Sequence, residues 1–203
     1  MRSLLIEPHY LGSLEYFSLI YQYDAIALEI EDTFRKQTFR NRCHFLSPNG
    51  IQQLVIPLRY SSSSKTKDVT IDYSQRWIKD HWGAFYSNYG KAPFFDFFSD
   101  SFHEIWEQRH NYLVDLSIHF LEATFKMLQM GKEILNSCDL EGVTDMRNVI
   151  LTKKPYTDRK IYTPAAYNQL FGNTFVPNLS IVDLIMCEGP GASQILRASS
   201  LRD

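Results

Sequence analysis

The first thirty residues constrain the fold of this chain most strongly, because strand and helix patterns alternate within them. The short apolar run from Ser3 to Ile6 is typical of a buried strand. Apolar residues then recur at helical spacing between Ser13 and Tyr23, and the run AIALEI after Asp24 predicts a second strand. Strand, helix and strand form a βαβ unit, which predicts two parallel strands joined by a right-handed crossover.

Polar residues follow both predicted strands, at the points where a ligand would lie. Glu7, Pro8 and His9 follow the first strand, and the polar stretch that begins at Glu31 follows the second. Because open α/β sheets bind ligands outside the carboxyl ends of their strands, we expect a ligand site at this edge. His9 is therefore a candidate general acid or base, since an imidazole titrates near neutral pH.

A cationic segment, residues 31–46, lies directly after the second predicted strand. Residues 47–50 have the composition of a turn and are followed by IQQLVIPL, so the segment belongs to a predicted β-hairpin arm. Guanidinium groups present paired donors that match two oxygens of a phosphate or carboxylate. The candidate anion ligands here are Lys36, Arg40, Asn41 and Arg42. The alternative is a solvated charged strand, because Glu29, Glu31 and Asp32 are near enough to neutralise much of the charge.

The middle of the chain has helical patterns with wide apolar faces. A helix is predicted from about Gln75 to Asn88, and a second from Tyr112 to Met130, whose two apolar rows indicate burial over more than half of its surface. Between them, residues 101–104 fit a capping box. Lys79 and His81 lie two residues apart on the first helix, so their side chains point to different faces. His81 is a second candidate general acid or base, Lys79 is a further candidate anion ligand, and a surface or partly buried histidine is the alternative for His81.

The last part of the chain predicts a weak strand, a polar loop and a late helix. EILNSC resembles a strand, and residues 153–173 are polar, rich in tyrosine and interrupted by prolines. An apolar helix is predicted from Ile181 to Cys187, and residues 189–191, Gly-Pro-Gly, end it. Because free amide groups at a helix start favour anions, Asn178 and Ser180 are candidate anion ligands, and ordinary capping is their alternative role.

Composition and missing motifs exclude several classes of function. The formal net charge of −2 argues against broad nucleic-acid binding, and no run is long enough to span a membrane. The three cysteines and six histidines lack Cys-x-x-Cys, His-x-His and His-Glu-x-x-His spacings, so no metal site is predicted. We find no signal peptide, and widely spaced cysteines fit a reducing compartment, so we expect a cytoplasmic protein. The sequence identifies no cofactor, because Walker and Gly-x-Gly-x-x-Gly loops are lacking.

Several ordered motifs are similar to those of a known family. They are Pro8 with Gly12 and Tyr16-Phe17, Lys36-Gln37-Thr38, Arg40-Asn41-Arg42-Cys43, Trp77-x-Lys79-x-His81-Trp82, Tyr89-Gly90-Lys91-Ala92-Pro93-Phe94, Asp145-x-Arg147-Asn148 and Pro177-Asn178-Leu179-Ser180. With them the chain resembles the WbqC-like family of bacterial proteins over nearly its full length. The resemblance implies an association with surface-polysaccharide loci and with group transfer to a sugar. Two positions depart from the family pattern, because Glu7 replaces a glutamine and Glu15 a glycine, and a carboxylate facing the site would repel a phosphate.

Together these patterns predict an α/β fold over residues 1–203, as a single domain with a Rossmann-like parallel sheet core, a β-hairpin arm and a helical segment from Ser74 to Met130. The aromatic run around residues 94–98 is compatible with either a packed core or a homo-oligomer interface.

Our leading functional hypothesis is a transferase that takes a small, phosphate-bearing donor of the nucleotide or nucleotide-sugar type. Lys36, Arg40 and Arg42 would bind the phosphate oxygens, and His9 or His81 would transfer the proton. The competing hypothesis is a non-catalytic protein that binds an anionic ligand or a protein partner through the same residues. A third interpretation makes the two arginines structural, with an ion pair to Asp32 or Asp183.

Overall fold

A parallel sheet forms the centre of the computed structural model, which describes residues 2–135 and 142–200. Its strands are β1 (Ser3–Ile6), β2 (Ala25–Leu28), β7 (Glu133–Leu135) and β8 (Thr144–Asp145), in the order β7-β2-β1-β8. All three neighbouring pairs are parallel, and β2 is buried along its whole length, as expected for a sheet covered on both faces. The predicted strand EILNSC is found at residues 133–135, and its remainder lies outside the described residues.

The register of the sheet places three loops side by side. Strand β1 pairs with β2 from Ser3↔Ala25 to Ile6↔Leu28, so the two strands end at the same level. Strand β8 pairs with β1 through Leu5↔Asp145, one residue earlier along β1. The chain segments that begin at residues 7, 29 and 146 therefore all start at one edge of the sheet, which we call the carboxyl edge.

Two short helices start next to each other beneath this edge. Helix α1 (Leu14–Tyr21) is capped by Ser13, and α5 (Ile181–Glu188) is capped by Ser180. Two backbone hydrogen bonds join these starts, from Leu14 N to Leu179 O and from Ile181 N to Gly12 O, each 2.9 Å long. Gly12 is required there because a Cβ would lie 2.6 Å from the Tyr16 ring.

The predicted hairpin arm is confirmed as a separate antiparallel pair. Strands β3 (Arg42–Ser47) and β4 (Gly50–Val55) pair in register and bury one face through Cys43, Phe45 and Leu54. The chain then forms β5 (Leu58–Arg59), which pairs with β6 (Thr70–Ile71). IQQLVIPL is thus divided between two pairs, because Pro57 supplies no N–H for a continuous ladder.

The helical segment is confirmed and packs through aromatic rings. It contains α2 (Trp77–Tyr89), α3 (Phe95–Glu107) and α4 (Leu113–Met127). The Trp106 ring contacts Phe85 and Phe120 edge to face at centroid distances of 5.6 and 5.5 Å. The predicted capping box at residues 101–104 is wrong, since these residues lie inside α3, which begins at the aromatic run.

The chain continues as a helix after the Gly-Pro-Gly sequence, although this sequence predicts only the end of a helix. A 3-10 turn at Gly189–Gly191 is followed by α6 (Ala192–Ser199), whose buried residues face α1. Gly189 has a φ of 51°, and a Cβ there would lie 2.4 Å from the Phe94 ring, so the turn requires glycine. Among the described helices, none combines the length and apolar character needed to cross a bilayer.

Candidate functional site

A polar cavity of about 590 Å³ opens at the carboxyl edge. It is lined by residues of the segment after β2 and of the end of β8 with the segment after it: Asp32, Thr33, Arg35, Asp145, Arg147 and Asn148. A cavity of about 670 Å³ lies at the opposite end of β7, beside the last turn of α4. We take the carboxyl-edge cavity as the candidate site, because charged groups from separate loops converge there.

Arg40, a buried cation, lies under the floor of the cavity, and 1% of its surface is exposed. Its Nη2 donates to Asp32 Oδ2 at 2.7 Å and to Asn148 Oδ1 at 3.3 Å. This is the ion pair that the structural interpretation of Arg40 expected. Within residues 2–135 and 142–200, the Arg40 Nε and Nη1 groups have no hydrogen-bond partner, so part of the donor capacity of this cation is unused.

Glu7 and His9 form a buried acid–base pair under the same floor. Glu7 Oε2 accepts from the backbone N–H of Asn148 at 2.8 Å, and Glu7 Oε1 lies 3.5 Å from His9 Nε2. Burial raises the pKa of Glu7, but contacts with His9 and Asn148 and the charge of Arg40 outweigh it and bring the pKa to about 2. Burial lowers the pKa of His9 below its ordinary value, more than Glu7 raises it. At neutral pH Glu7 is therefore ionised and His9 is neutral.

The carboxylates around the cavity are already engaged. Arg147 binds both oxygens of Asp145 and donates from Nη1 to Glu29 Oε2 at 2.7 Å. Asp32 Oδ1 accepts from Thr66 Oγ1 at 2.6 Å, while Oδ2 is held by Arg40. These contacts fix both acids of the cavity lining in place.

None of the other three predicted anion ligands of the cationic segment lines this cavity. Lys36 is exposed next to Arg35, at the rim. Asn41 is buried and donates from Nδ2 to Ile56 O at 2.9 Å, which fastens the hairpin arm to the next segment. Arg42 begins β3 and pairs across the arm with Val55.

His81 and Lys79 lie elsewhere, on α2. His81 is buried, and its Nδ1 is 2.8 Å from the Tyr10 hydroxyl, which also accepts from Trp106 Nε1 at 2.9 Å. Burial lowers the pKa of His81 to about 4, so the ring is a neutral member of the aromatic core. Lys79 is exposed and lines a different cavity of about 280 Å³. Neither residue lines the carboxyl-edge cavity.

Asn178 and Ser180 are used by the fold. Ser180 Oγ accepts from Val182 N at 3.3 Å and donates to Leu11 O at 2.8 Å. Asn178 Oδ1 accepts from the backbone N–H of Glu15 at 2.9 Å. These contacts correspond to ordinary capping and to the junction between α1 and α5.

The unusual carboxylate of Glu15 does not face the cavity. Glu15 is fully buried, and both of its oxygens accept from Arg159, through Nε and Nη2. A bidentate ion pair of this kind neutralises the carboxylate within the core. Glu15 therefore does not repel a ligand at the carboxyl edge.

Sequence reasoning missed most of the cavity lining. Arg147 and Asn148 received no role, although they belong to one of the motifs that carry the family resemblance. Strand β8, which positions them, is two residues long and lacks a periodic pattern. The motif Asp145-x-Arg147-Asn148 was the available signal.

Among the described residues, no group of three or more histidine, cysteine, aspartate or glutamate side chains is placed to hold a metal ion.

Comparisons with known proteins agree with the motif resemblance. The model of the WbqC-like protein family matches residues 7–163 and 152–195. The Uncharacterized protein Rv1507c of Mycobacterium tuberculosis (strain ATCC 25618 / H37Rv) is 25% identical over 224 residues, which cover 95% of this chain and 96% of that protein. No solved structure matches the chain.

Proposed function

Because the chain belongs to the WbqC-like protein family, we propose that it is a group transferase of bacterial surface-polysaccharide synthesis. Its donor in this proposal bears a phosphate and is of the nucleotide or nucleotide-sugar type. The polysaccharide context rests on the family resemblance, whereas the donor class rests on the chemistry of the carboxyl-edge cavity.

The observation that carries the donor class is the state of the hydrogen-bonding groups in the cavity. The carboxylates of Asp32 and Asp145 already accept from neighbouring side chains. Within the described part of the chain, the side-chain groups of the lining without a partner are the Arg35 guanidinium, the Thr33 hydroxyl and the Asn148 amide nitrogen. All three can donate, so they favour a ligand rich in acceptor oxygens, such as a phosphate.

Arg40 supports the same preference from below. Its charge lies in a buried, weakly screened environment under the floor, and it reaches the cavity only through Asp32 and Asn148. A positive charge fixed in advance stabilises negative charge that develops on a leaving group, and one such group contributes about 3 kcal/mol to catalysis. In this proposal Arg40 is a positioning residue, and Arg35 contacts the donor.

The transfer step needs a proton acceptor. The bond between the transferred group and the donor phosphate breaks with its electron pair on the phosphate oxygen, while the acceptor forms the new bond and releases a proton. Asp32 takes this proton in our proposal, because its side chain is 20% exposed in the cavity and is oriented by Thr66. His9 takes no part in the transfer in this proposal, because it lies below the floor beside Glu7.

Non-catalytic binding of an anionic ligand is the second candidate function. The observation that favours it is that His9 and His81 are both buried away from the cavity, and that Asp32 is ion-paired. Such a protein would use the same donors of the lining to bind its ligand without turning it over.

Thermal-shift screening against nucleotides, nucleotide-sugars, aminoacyl donors and coenzyme A tests the donor class. A ligand at 100 times its Kd adds about 2.7 kcal/mol of stability. We expect one phosphate-bearing class to shift the wild type and the surface control Lys91→Gln, and to shift Arg35→Gln much less. If no compound of this kind shifts the wild type, the proposed donor is wrong.

Asp32→Asn then separates the two candidate functions. A transferase loses turnover of the identified donor while it retains binding, because the proton acceptor is gone. If the wild type binds the donor but single-turnover measurements with candidate sugar acceptors give no product, the binding function is favoured.

A further inference from the structure

Two loops meet at the rim of the carboxyl-edge cavity. Thr152 Oγ1 donates to the backbone oxygen of Gln37 at 2.6 Å, although the two residues are 115 positions apart. Lys36 precedes Gln37 and Lys153 follows Thr152, so the contact places the two lysines on adjoining loops. Arg35, which lines the cavity, precedes Lys36 directly.

These rim cations differ from the two arginines that meet carboxylates at the cavity. Arg40 and Arg147 each form an ion pair there, and Lys65 and Lys67 share Glu31 nearby. In the part of the chain that the structure describes, Arg35, Lys36 and Lys153 form no ion pair. An anion that binds between cations of adjoining loops interacts favourably with the charges of both loops.

The backbone of both loops is held in an unusual conformation. Gln37 and Asn148 have φ values of 59° and 58°, in the left-handed region that residues with a Cβ seldom occupy. Thr152 donates to the backbone oxygen of Gln37, and Glu7 accepts from the backbone N–H of Asn148. Conformations of this kind cluster at ligand sites, where the surrounding structure holds a loop in place.

From these observations we infer that the rim is a subsite for a second phosphoryl group, so that the ligand is a diphosphate and not a monophosphate. This inference rests on the proposed function and narrows its donor class. Arg35 binds the phosphoryl group inside the cavity, and Lys36 and Lys153 bind the one outside. Three positive charges match a diphosphate better than a single phosphate, which has one charged centre.

Inorganic pyrophosphate and inorganic phosphate test the inference directly by titration calorimetry at constant ionic strength. We expect the wild type to bind pyrophosphate at least tenfold more tightly than phosphate. The double variant Lys36→Gln/Lys153→Gln should lose at least tenfold in pyrophosphate affinity and keep its phosphate affinity within about twofold. Lys91→Gln, an exposed lysine between α2 and α3, is the matched control and should resemble the wild type.

The outcomes separate this inference from the proposed function. Equal affinity of the wild type for both ions, with binding that Arg35→Gln abolishes, overturns the diphosphate subsite and leaves the phosphate-bearing donor in place. An unchanged pyrophosphate affinity in the double lysine variant also overturns the diphosphate subsite and leaves the phosphate-bearing donor in place. If folded wild type binds neither ion, both the inference and the proposed donor class fail. Melting temperatures verify that each variant is folded.

Discussion

Asn148 donates its backbone N–H to Glu7 Oε2 across 2.8 Å and thereby ties the loop after β8 to the loop after β1. The same residue accepts from Arg40 through Oδ1 and lines the cavity. One asparagine thus connects a buried carboxylate, a buried cation and the surface that a ligand would contact. The stability of the protein and the shape of its cavity are therefore linked at this position.

Glu7→Gln should make the protein less stable at neutral pH and less sensitive to acid. Folding lowers the pKa of Glu7 from 4.5 to about 2, so its stabilisation is complete above pH 4.5 and is lost as the pH falls towards 2. The shift corresponds to a stabilisation on the order of 3 kcal/mol. Urea unfolding at several values between pH 7 and pH 3 measures it. The exposed control Glu104→Gln should keep the wild-type slope, and an equally steep slope in Glu7→Gln would refute the assignment.

His81→Phe should alter stability and leave ligand binding unchanged. Folding lowers the pKa of His81 from 6.5 to about 4. As the pH falls, the unfolded chain therefore binds the proton before the folded protein does, and the free energy of unfolding decreases between pH 6.5 and about pH 4. The variant lacks this loss, but the Tyr10 hydroxyl keeps only the bond from Trp106 and loses the acceptor of its own proton, which costs about 1–3 kcal/mol at pH 7. Urea unfolding at pH 7 and pH 5 tests both effects, with the half-buried His103→Phe as control. A loss of turnover in a folded His81→Phe protein would restore the catalytic role predicted for His81.

Arg159→Met should be among the most destabilising single substitutions in the chain. It leaves the fully buried Glu15 carboxylate without its cation, and breaking a buried ion pair from one side costs about 3–5 kcal/mol. The double variant Glu15→Gln/Arg159→Met should recover a large part of that loss, because no uncompensated charge remains. Denaturant midpoints measure both changes. A loss below 1 kcal/mol in the single variant would show that Glu15 does not depend on Arg159.

Local patterns were sufficient to predict the parts of the fold that depend on short stretches of chain. The apolar run from Ser3 to Ile6 and the run AIALEI predicted the parallel pair, and the turn at residues 47–50 predicted the hairpin arm. Helix α6 was missed because Gly-Pro-Gly normally ends a helix, and here the chain turns once and resumes. Strand β8 was missed because it has only two residues, and these form a strand only through their pairing with β1.

The sequence predicted the location of the candidate site better than it predicted the residues that line it. The carboxyl-edge rule placed Arg40 and Lys36 near the cavity, because both lie in the segment between β2 and the hairpin arm. Arg147 contacts Glu29, which is 118 positions away, and Asn148 contacts Glu7, which is 141 positions away. A periodic pattern does not encode such distant contacts. The same holds for His81, whose partner Tyr10 is 71 positions away and places the ring in the core.

Asn148→Gly and Asn148→Ala together separate the backbone role of Asn148 from its side-chain role. Both variants remove the amide that contacts Arg40 and lines the cavity, so both should weaken binding of a phosphate-bearing ligand by a similar factor. Glycine accepts a φ of 58° without a steric penalty, whereas alanine does not, so Asn148→Ala should be less stable than Asn148→Gly by about 1 kcal/mol. Thermal unfolding measures the difference, and calorimetry with pyrophosphate measures the affinity. If Asn148→Gly binds as tightly as the wild type, the side chain does not contact the ligand, and Arg35 and Thr33 alone supply the donors in the cavity.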